Sequence, residues 1–399
     1  MKGRPFCCGA LLTVCIITFA VRPANAQTNW LTGYLQTVPL FSSPTELSNG
    51  DISNFSRFRL ISEPSVGSLS AEIAYEHTVS VWRRGSSSTL ALGVVPSGGE
   101  WFDFEGTITG VNREHVRWRH RFDRLNVGWA PTDAFDVRVG RQVVSWGTTL
   151  FLTPADPFLP FSPSDPFRQY RGGVDAARVR ISPGPLSQLD VVVRTTRTRV
   201  GEEVTAIGRG LMTWKNWELS AWGGTLYGDG AGAVSASGAV GPWALRIEAV
   251  VREDDATIVG RGAIGLDRLF QLSGRDLFVV FEYQRDGFGA TSADDYLHIF
   301  RSKVFRRGEF QVLGRDETVF QASYTIHPLV SVAGLALWNL NDGSALLAPS
   351  VAYSASDETS IAGGVYFGMG DSAITAGRPL PSEYGLSGVT SYVSISWFF

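Results

Sequence analysis

Apolar and polar residues alternate along the last eleven positions of the chain. The odd positions carry, apart from one serine, bulky apolar side chains, namely Val389, Ser391, Val393, Ile395, Trp397 and Phe399. The positions between them are mostly small or polar: Thr390, Tyr392, Ser394, Ser396 and Phe398. A period of two is that of a β-strand, whose side chains point alternately to its two faces. The pattern therefore predicts a strand with one apolar face and one more polar face.

Similar segments recur along the chain, and several of them are long. Residues 276–286, 329–340 and 359–369 reach the length of about 9–11 residues that a tilted strand needs to cross a bilayer. Strands of soluble proteins are usually about 5–6 residues long. A soluble β-sandwich or propeller also consists of strands and turns, but the strand length favours a transmembrane barrel.

Short turns and longer polar stretches alternate between these segments, as the two kinds of connection do in membrane barrels. The longer stretches, predicted to be outer loops, are 40–52, 81–111, 147–172, 287–308 and 371–388. Eight short connections predict nine hairpins and hence 18 strands. Because residues 296–316 fit either a further hairpin or a folded loop, the predicted range is 16 to 20 strands. The turn residues stand at Glu63-Pro64-Ser65, Pro131-Thr132-Asp133, Pro183-Gly184-Pro185, Lys215-Asn216, Gly241-Pro242, Leu272-Ser273-Gly274, His327-Pro328 and Ser356-Asp357-Glu358.

The N-terminal residues have the features of a secretory signal peptide. Lys2 and Arg4 precede an apolar stretch over 7–21, and Ala24-Asn25-Ala26 supplies small residues for a signal peptidase. We expect cleavage after Ala26, with a retained anchor as the alternative, so that residues 1–26 are the signal and residues 27–399 form the barrel. All three cysteines lie in the signal segment, which leaves the predicted mature chain without a thiol for a disulfide, a zinc cluster or a nucleophile. They are Cys7, Cys8 and Cys15.

The C-terminal strand resembles the C-terminal signature of Gram-negative outer-membrane proteins. In this chain the signature consists of Phe399 with Trp397, Ile395 and Val393 at alternate positions before it. The resemblance implies that the barrel-assembly machinery reads this strand and inserts the protein into outer-membrane lipid. Together with the signal peptide, it predicts an all-β chain, a transmembrane antiparallel β-barrel of about 18 strands in the outer membrane.

Charge is segregated along the sequence. The formal net charge is −3, yet residues 113–199 hold 14 Arg, no Lys and 8 Asp or Glu, which gives 14 − 8 = +6. Arg117, Arg119 and Arg121 alternate with aromatic and apolar residues, so they share one face of a strand. An arginine at the bilayer midplane costs about 2–4 kcal/mol, and this face is therefore predicted to line the lumen. By the same alternation, Arg138, Arg178, Arg180 and Arg194 are predicted to join it from following strands.

The alternation changes phase near Leu125 and again near Arg141, which indicates a β-bulge. Two interpretations of the basic face stand side by side. It selects anions or orients acidic and sugar-like solutes through bidentate hydrogen bonds, or its arginines pair with aspartates of neighbouring strands and brace a narrow lumen.

The loop 147–172 contains a repeated proline motif. Pro154-Ala155-Asp156-Pro157-Phe158 is followed nine residues later by Pro163-Ser164-Asp165-Pro166-Phe167. Because proline fixes φ and restricts the preceding residue, the loop can hold its shape without many hydrogen bonds of its own. It is predicted to fold inward as a constriction, with Asp156 and Asp165 facing the basic wall, an arrangement that resembles general porins. The alternative is that its phenylalanines pack the loop on the rim.

Enzyme signatures are absent from the sequence. The five histidines form no His-Glu-x-x-His motif, and no Gly-x-Ser-x-Gly motif occurs. We therefore expect no catalytic residues, no cofactor, no metal site and no nucleic-acid partner.

Barrels of about 16–18 strands leave an aqueous lumen, so the predicted function is a passive channel for small hydrophilic solutes, with a mild anion preference. The alternative is a closed barrel that binds surface polysaccharide or scaffolds other envelope proteins. It would use loop 147–172 and the aromatic residues Trp82, Trp101, Tyr170 and Tyr384.

Overall fold

The computed structural model describes residues 31–46, 48–83, 105–109, 115–158, 167, 170–198, 200–255, 257–375, 378 and 380–399. The predicted signal segment, with its three cysteines, lies outside these residues. Cleavage after Ala26 therefore stays a prediction.

Twenty β-strands in the described part of the chain belong to one sheet. They are β1 (Leu31–Ser42), β2 (Asp51–Ser62), β3 (Ser65–Val66), β4 (Leu69–Trp82), β5 (Glu105–Thr109), β6 (Val116–Thr132), β7 (Phe135–Gln142), β8 (Val174–Gly184), β9 (Ser187–Arg197), β10 (Glu202–Trp214), β11 (Trp217–Leu226), β12 (Asp229–Val240), β13 (Trp243–Asp254), β14 (Thr257–Leu272), β15 (Arg275–Asp286), β16 (Asp316–His327), β17 (Val330–Asn339), β18 (Ala345–Ser354), β19 (Thr359–Met369) and β20 (Val389–Phe398).

The helical content is small. Two short helices, α1 (Tyr296–Arg301) and α2 (Lys303–Arg306), lie between β15 and β16. Single turns of 3₁₀-helix occupy Ala293–Asp295 and Gly385–Ser387. None of the helices in the described ranges is long and apolar enough to cross a membrane.

The sheet closes on itself into an antiparallel barrel. β1 pairs with β20 in a register that runs from Tyr34 opposite Phe398 to Ser42 opposite Thr390. β3 pairs only with the first residues of β4, and β5 pairs only with β6, which leaves 18 strands in the wall. The predicted fold class and the predicted count of 18 strands are confirmed.

The two ends of the barrel differ in their connections. At one end, here called the turn end, eight short connections join consecutive wall strands, and each of the eight predicted turns lies in or beside one of them. Both chain ends of the barrel meet there, since Gly33 and Phe399 exchange two backbone hydrogen bonds. The opposite end, here called the loop end, carries the long connections 83–115, 143–173, 287–315 and 370–388. Residues 296–316 form a folded loop with α1 and α2 and no further hairpin.

Side chains alternate between an apolar outer face and a more polar inner face. On β9, Leu189, Val191 and Val193 are about half exposed outside, whereas Asp190 and Arg194 are buried inside. β20 follows the same rule, with Val393 and Ile395 outward and Ser394 and Ser396 inward. This order is the reverse of that in a soluble protein and matches a wall between lipid and a wet lumen.

Aromatic side chains form a band on the outer face at the turn end. The band contains three ring pairs from neighbouring strands or positions: Trp129 with Phe135, Trp243 with Phe270, and Trp397 with Phe399. The guanidinium of Arg268 lies 4.4 Å from the centroid of the Phe270 ring. Such a band is typical of the boundary between the hydrocarbon core and the polar headgroups.

Candidate functional site: the lumen and its inward loop

The loop between β7 and β8 enters the barrel, and its first lobe, residues 143–158, follows the inner wall. Glu248 on β13 accepts hydrogen bonds from the backbone N–H of Thr149 (2.9 Å) and of Ala155 (2.8 Å). Glu282 on β15 accepts from the N–H groups of Phe151 (2.9 Å) and Leu152 (2.8 Å). A buried irregular backbone needs partners for its N–H groups, and these two wall carboxylates supply them.

Apolar packing holds the first lobe against β8–β13. The indole N–H of Trp146 donates to Asp190 at 3.2 Å, and that of Trp222 donates to the Ala155 carbonyl at 2.8 Å. The rings of Trp146 and Phe158 meet edge to face at 5.7 Å between centroids. These contacts fill the space between the lobe and this part of the wall, in a cluster with Val144, Val192, Ile207, Leu226 and Val250.

The second lobe, residues 167 and 170–173, lies on the other side of the lumen. Phe167 packs edge to face on Tyr392 of β20 at 4.7 Å, and its carbonyl accepts a hydrogen bond from Arg57 at 2.6 Å. Tyr170 stacks on Tyr34 of β1 at 6.0 Å. The Arg59 guanidinium of β2 lies 4.5 Å from the Tyr170 ring centroid, which is a cation–π distance.

Asp156 joins the two lobes. It pairs with Arg171 of the second lobe, and it accepts hydrogen bonds from the Ser145 hydroxyl (2.9 Å) and the Phe158 N–H (3.2 Å). Burial raises the pKa of Asp156 to about 6, against the opposing effect of Arg171. Because its side chain has no exposed surface, Asp156 does not face the basic wall as an open acidic group, contrary to the expectation from the sequence. Asp165, the other predicted constriction residue, lies outside the described residues.

The basic face is built in rows across β2, β4 and β6. Arg59, Glu76 and Arg121 lie opposite one another in the first row. The next row toward the loop end holds Arg57, Thr78 and Arg119, and the third holds Phe55, Ser80 and Arg117. Trp118, between Arg117 and Arg119, is exposed on the outer face. Arg117, Arg119 and Arg121 therefore point into the lumen.

A β-bulge lies just below these rows, where the sequence alternation changes phase. Ala74 pairs with Arg124 and Tyr75 pairs with Phe122, so Asp123 is the extra residue of β6. Both Asp123 and Arg124 are buried inside the barrel. Asp123 binds Arg59 at 2.5 Å and Arg124 at 2.6 Å.

The remaining predicted lining arginines also lie on the inner face, and most of them have acidic partners. Arg138 is 3.4 Å from Glu72. Arg178 pairs with Asp190, 2.9 Å from Nε to Oδ1, and Arg180 pairs with Asp136 at 2.7 Å. Arg194 is buried, with its guanidinium 5.7 Å from the centroid of the Phe158 ring.

Solvent exposure differs between sectors of the inner wall at the loop end. Along β4 and β6, Thr78 and Ser80 are half-buried, and Arg117 and Arg119 are exposed. Farther toward the turn end, the Glu72 and Arg138 side chains are partly exposed beside a 310 Å³ cavity. Elsewhere the described inner wall near the loop end is buried under loops, as at Val38, Thr196, Thr205, Val250, Gln284, Val319 and Leu346. The inner face of β4 and β6 near the loop end is thus the solvated side of the lumen.

A buried acidic cluster holds two other loops over the lumen. Glu383, in the loop before β20, accepts hydrogen bonds from the N–H groups of Leu313 (2.7 Å) and Gly314 (3.0 Å) and from the Asn339 amide (2.8 Å). Burial, together with Asp342, raises the pKa of Glu383 to about 7. The other titratable residues near Glu383 are Glu317, Tyr296 and Tyr384. The Tyr384 hydroxyl donates a hydrogen bond to Glu317, and the Tyr296 hydroxyl donates one to Asp342. Within the described ranges, no group of three His, Cys, Asp or Glu residues could hold a metal ion.

Sequence reasoning missed the acidic residues that organise the lumen, namely Glu76, Glu248 and Glu282. A signal for Glu248 was present, since Arg246, Glu248 and Arg252 alternate with Leu245, Ile247 and Val251 on β13. The alternation places Glu248 on the inner face, but nothing local identifies a loop a hundred residues earlier as its partner.

Solved structures of porins share this architecture. A BenF-like porin from Pseudomonas fluorescens Pf-5 is 12% identical over 93% of this chain and 98% of its own, with a TM-score of 0.53. OpdK from Pseudomonas aeruginosa, crystallised with vanillate, is 11% identical over 92% and 98% of the chains, with a TM-score of 0.53. OccAB1 from Acinetobacter baumannii is 10% identical over 92% and 95%, also with a TM-score of 0.53.

At these identities the similarity concerns the fold alone. The sequence matches no protein-family model and no curated protein. The chain has the fold of a porin-like barrel.

Proposed function

We propose that the protein is an outer-membrane channel through which small hydrophilic solutes diffuse passively, with a preference for anions. One observation carries the proposal: near the loop end, the described inner wall is solvated along β4 and β6, where Arg117 and Arg119 are exposed. An aqueous strip lined by fixed positive charge attracts anions and repels cations. The Arg–Asp pairs farther along the wall brace it, so both interpretations of the basic face apply, each to different residues.

The outer surface supports a location in the outer membrane. Its exposed side chains are largely apolar, and three aromatic ring pairs lie on it at the turn end. Val393, Ile395 and Phe399 are exposed on the outer face of the last strand, where the barrel-assembly machinery could read them before closure. Export with a cleaved signal peptide completes this part of the proposal, in which the turn end faces the periplasm.

A closed barrel that binds polysaccharide or scaffolds envelope proteins is the second candidate. The observation in its favour is the extent to which loops bury the inner wall. The aromatic residues proposed for this binding are poorly placed for contact with a polysaccharide. Tyr384 is buried against Glu317, and Tyr170 stacks on Tyr34 inside the barrel. Trp82 lies beside Arg117, and Trp101 lies outside the described residues.

Planar-bilayer recording of the refolded protein separates the two candidates. A channel gives discrete conductance steps in concentrated KCl, and a KCl gradient gives a reversal potential displaced toward that of chloride. Vanillate, with which OpdK was crystallised, is a suitable first organic solute for a swelling assay in liposomes. Heat-modifiable gel mobility shows whether the protein is folded. If folded protein gives no conductance steps, the channel is excluded and the closed barrel is favoured.

A further inference from the structure

Glu76 is the single acid among the nine residues of β2, β4 and β6 that form the three rows of the basic face. Two more acids border these rows, since Asp123 at the bulge binds Arg59 and Glu105 of β5 lies opposite Arg121. The rows contain five arginines, two from β2 and three from β6, and Glu76 lies between them on β4. The register alone places Arg59 and Arg121 on its two sides.

Three guanidinium groups share the Glu76 carboxylate. Its Oε1 is 3.0 Å from Nη2 of Arg121, and its Oε2 is 3.5 Å from Nη1 of Arg59 and 3.6 Å from Nε of Arg57. The Glu76 side chain is 8% exposed, against 13% for Arg121 and 14% for Arg57. This carboxylate therefore stands at the margin of the solvated strip, in contact with the cations that border it.

In the neighbouring row, β4 contributes no acid. Thr78 lies between Arg57 and Arg119, two residues closer to the loop end, and offers a hydroxyl group where Glu76 offers a charge. Along β4, an anion that moves toward the turn end thus passes from a hydroxyl group to a carboxylate.

We propose that Glu76 is a built-in counter-ion that determines how strongly the basic face attracts anions. It occupies the position that a solute anion would otherwise take among Arg57, Arg59 and Arg121. Conduction requires binding that is favourable enough for entry and weak enough for release. By neutralising part of the local charge, Glu76 keeps anions from remaining in the strip. The inference rests on the proposed channel function and adds the residue that sets its selectivity.

The test is Glu76→Gln, which keeps the volume and one acceptor oxygen of the side chain and removes its charge. Because one unit charge a few ångströms away is worth about 1 kcal/mol even in water, the chloride-to-potassium permeability ratio should rise about fivefold. Inorganic phosphate in the bath should also block the variant at lower concentration than the wild type. Both readouts come from the same bilayer recordings.

Glu218→Gln is the matched control. Glu218 lies on β11, on the same face as the inward-pointing Ser220 and six wall strands from β4. Its loss changes the lumenal charge by the same amount, so a general charge effect would shift both variants equally. A Glu76→Gln channel with wild-type selectivity and phosphate block would overturn the inference while leaving the channel function intact. Absence of conductance in the wild type would refute the channel function itself.

Thr78→Asp tests the same idea in the opposite direction and does not depend on the folding of Glu76→Gln. The new carboxylate would lie between Arg57 and Arg119 as Glu76 lies between Arg59 and Arg121. The chloride-to-potassium permeability ratio should fall, and phosphate block should weaken. An unchanged or increased ratio in folded Thr78→Asp protein would contradict the proposal.

Discussion

The carboxylate of Asp156 and the guanidinium of Arg171 form an ion pair between the two lobes of the inward loop. The first lobe is anchored on β13 and β15, and the second is anchored on β1, β2 and β20. The pair therefore links opposite walls of the barrel through the loop. In the proposed channel, a cross-link of this kind would fix the width of the passage beside it.

Asp156→Asn should loosen the link between the lobes. The substitution removes the partner of a partly buried arginine, which costs about 1–3 kcal/mol of local stability. We expect larger and noisier conductance steps in planar bilayers. Asp136→Asn, which breaks an arginine pair on the wall and leaves the loop untouched, should give quiet steps of wild-type size. Identical noise in both variants would show that the ion pair does not limit the passage.

The position of the loops over the lumen should depend on pH through Glu383. The pKa of Glu383 is raised to about 7, above the unfolded value of 4.5. The stability that Glu383 gives to the docked loops is therefore fully present below about pH 4.5. That contribution is lost as the pH rises through 7. The channel should accordingly spend more time open at pH 8.5 than at pH 5.5. Glu383→Gln should flatten this profile, and a variant with the wild-type profile would assign the dependence to another group.

Replacement of Arg117, Arg119 and Arg121 together by Gln should preserve assembly and shift ion selectivity toward cations. The inner face is wet, and Gln remains polar, so the barrel tolerates the change. Heat-modifiable gel mobility reports folding, and the reversal potential in a KCl gradient reports selectivity. Unchanged selectivity in the folded triple variant would mean that these residues brace the wall and that discrimination occurs elsewhere.

Trp118→Arg should impair assembly and leave ion selectivity unchanged. Trp118 lies between two lumenal arginines in sequence, but its side chain is on the outer face. A charge on the lipid-facing side costs about 2–4 kcal/mol near the midplane and less toward the interfaces. We expect reduced yield of folded protein in lipid vesicles, measured by urea titration, with selectivity unaltered in the fraction that folds. Efficient folding of Trp118→Arg together with failure of the arginine variant would invert the assigned faces of β6.

The fold was predictable because its signals are local. Turn residues and a period of two determine the strands, and the same period puts Arg117 and Trp118 on opposite faces. The bulge at Asp123 was visible as a phase change near Leu125. The contacts within the lumen were not predictable, because each joins residues far apart in sequence: Phe151 with Glu282, for example, across 131 positions. Asp156 illustrates the limit, since its proline motif is evident in the sequence but its burial depends on Arg171, Ser145 and the wall behind them.

The two carboxylates that receive the inward loop also constrain the order of folding. The loop follows β7, yet Glu248 and Glu282 belong to β13 and β15, and their hydrogen bonds to the loop span 99 and 131 positions. Contacts of such separation form late, after the intervening chain has been ordered. We therefore expect the first lobe to dock only after β13 and β15 have joined the wall, when most of the barrel has formed. On this expectation, the nascent barrel is wider inside than the finished one.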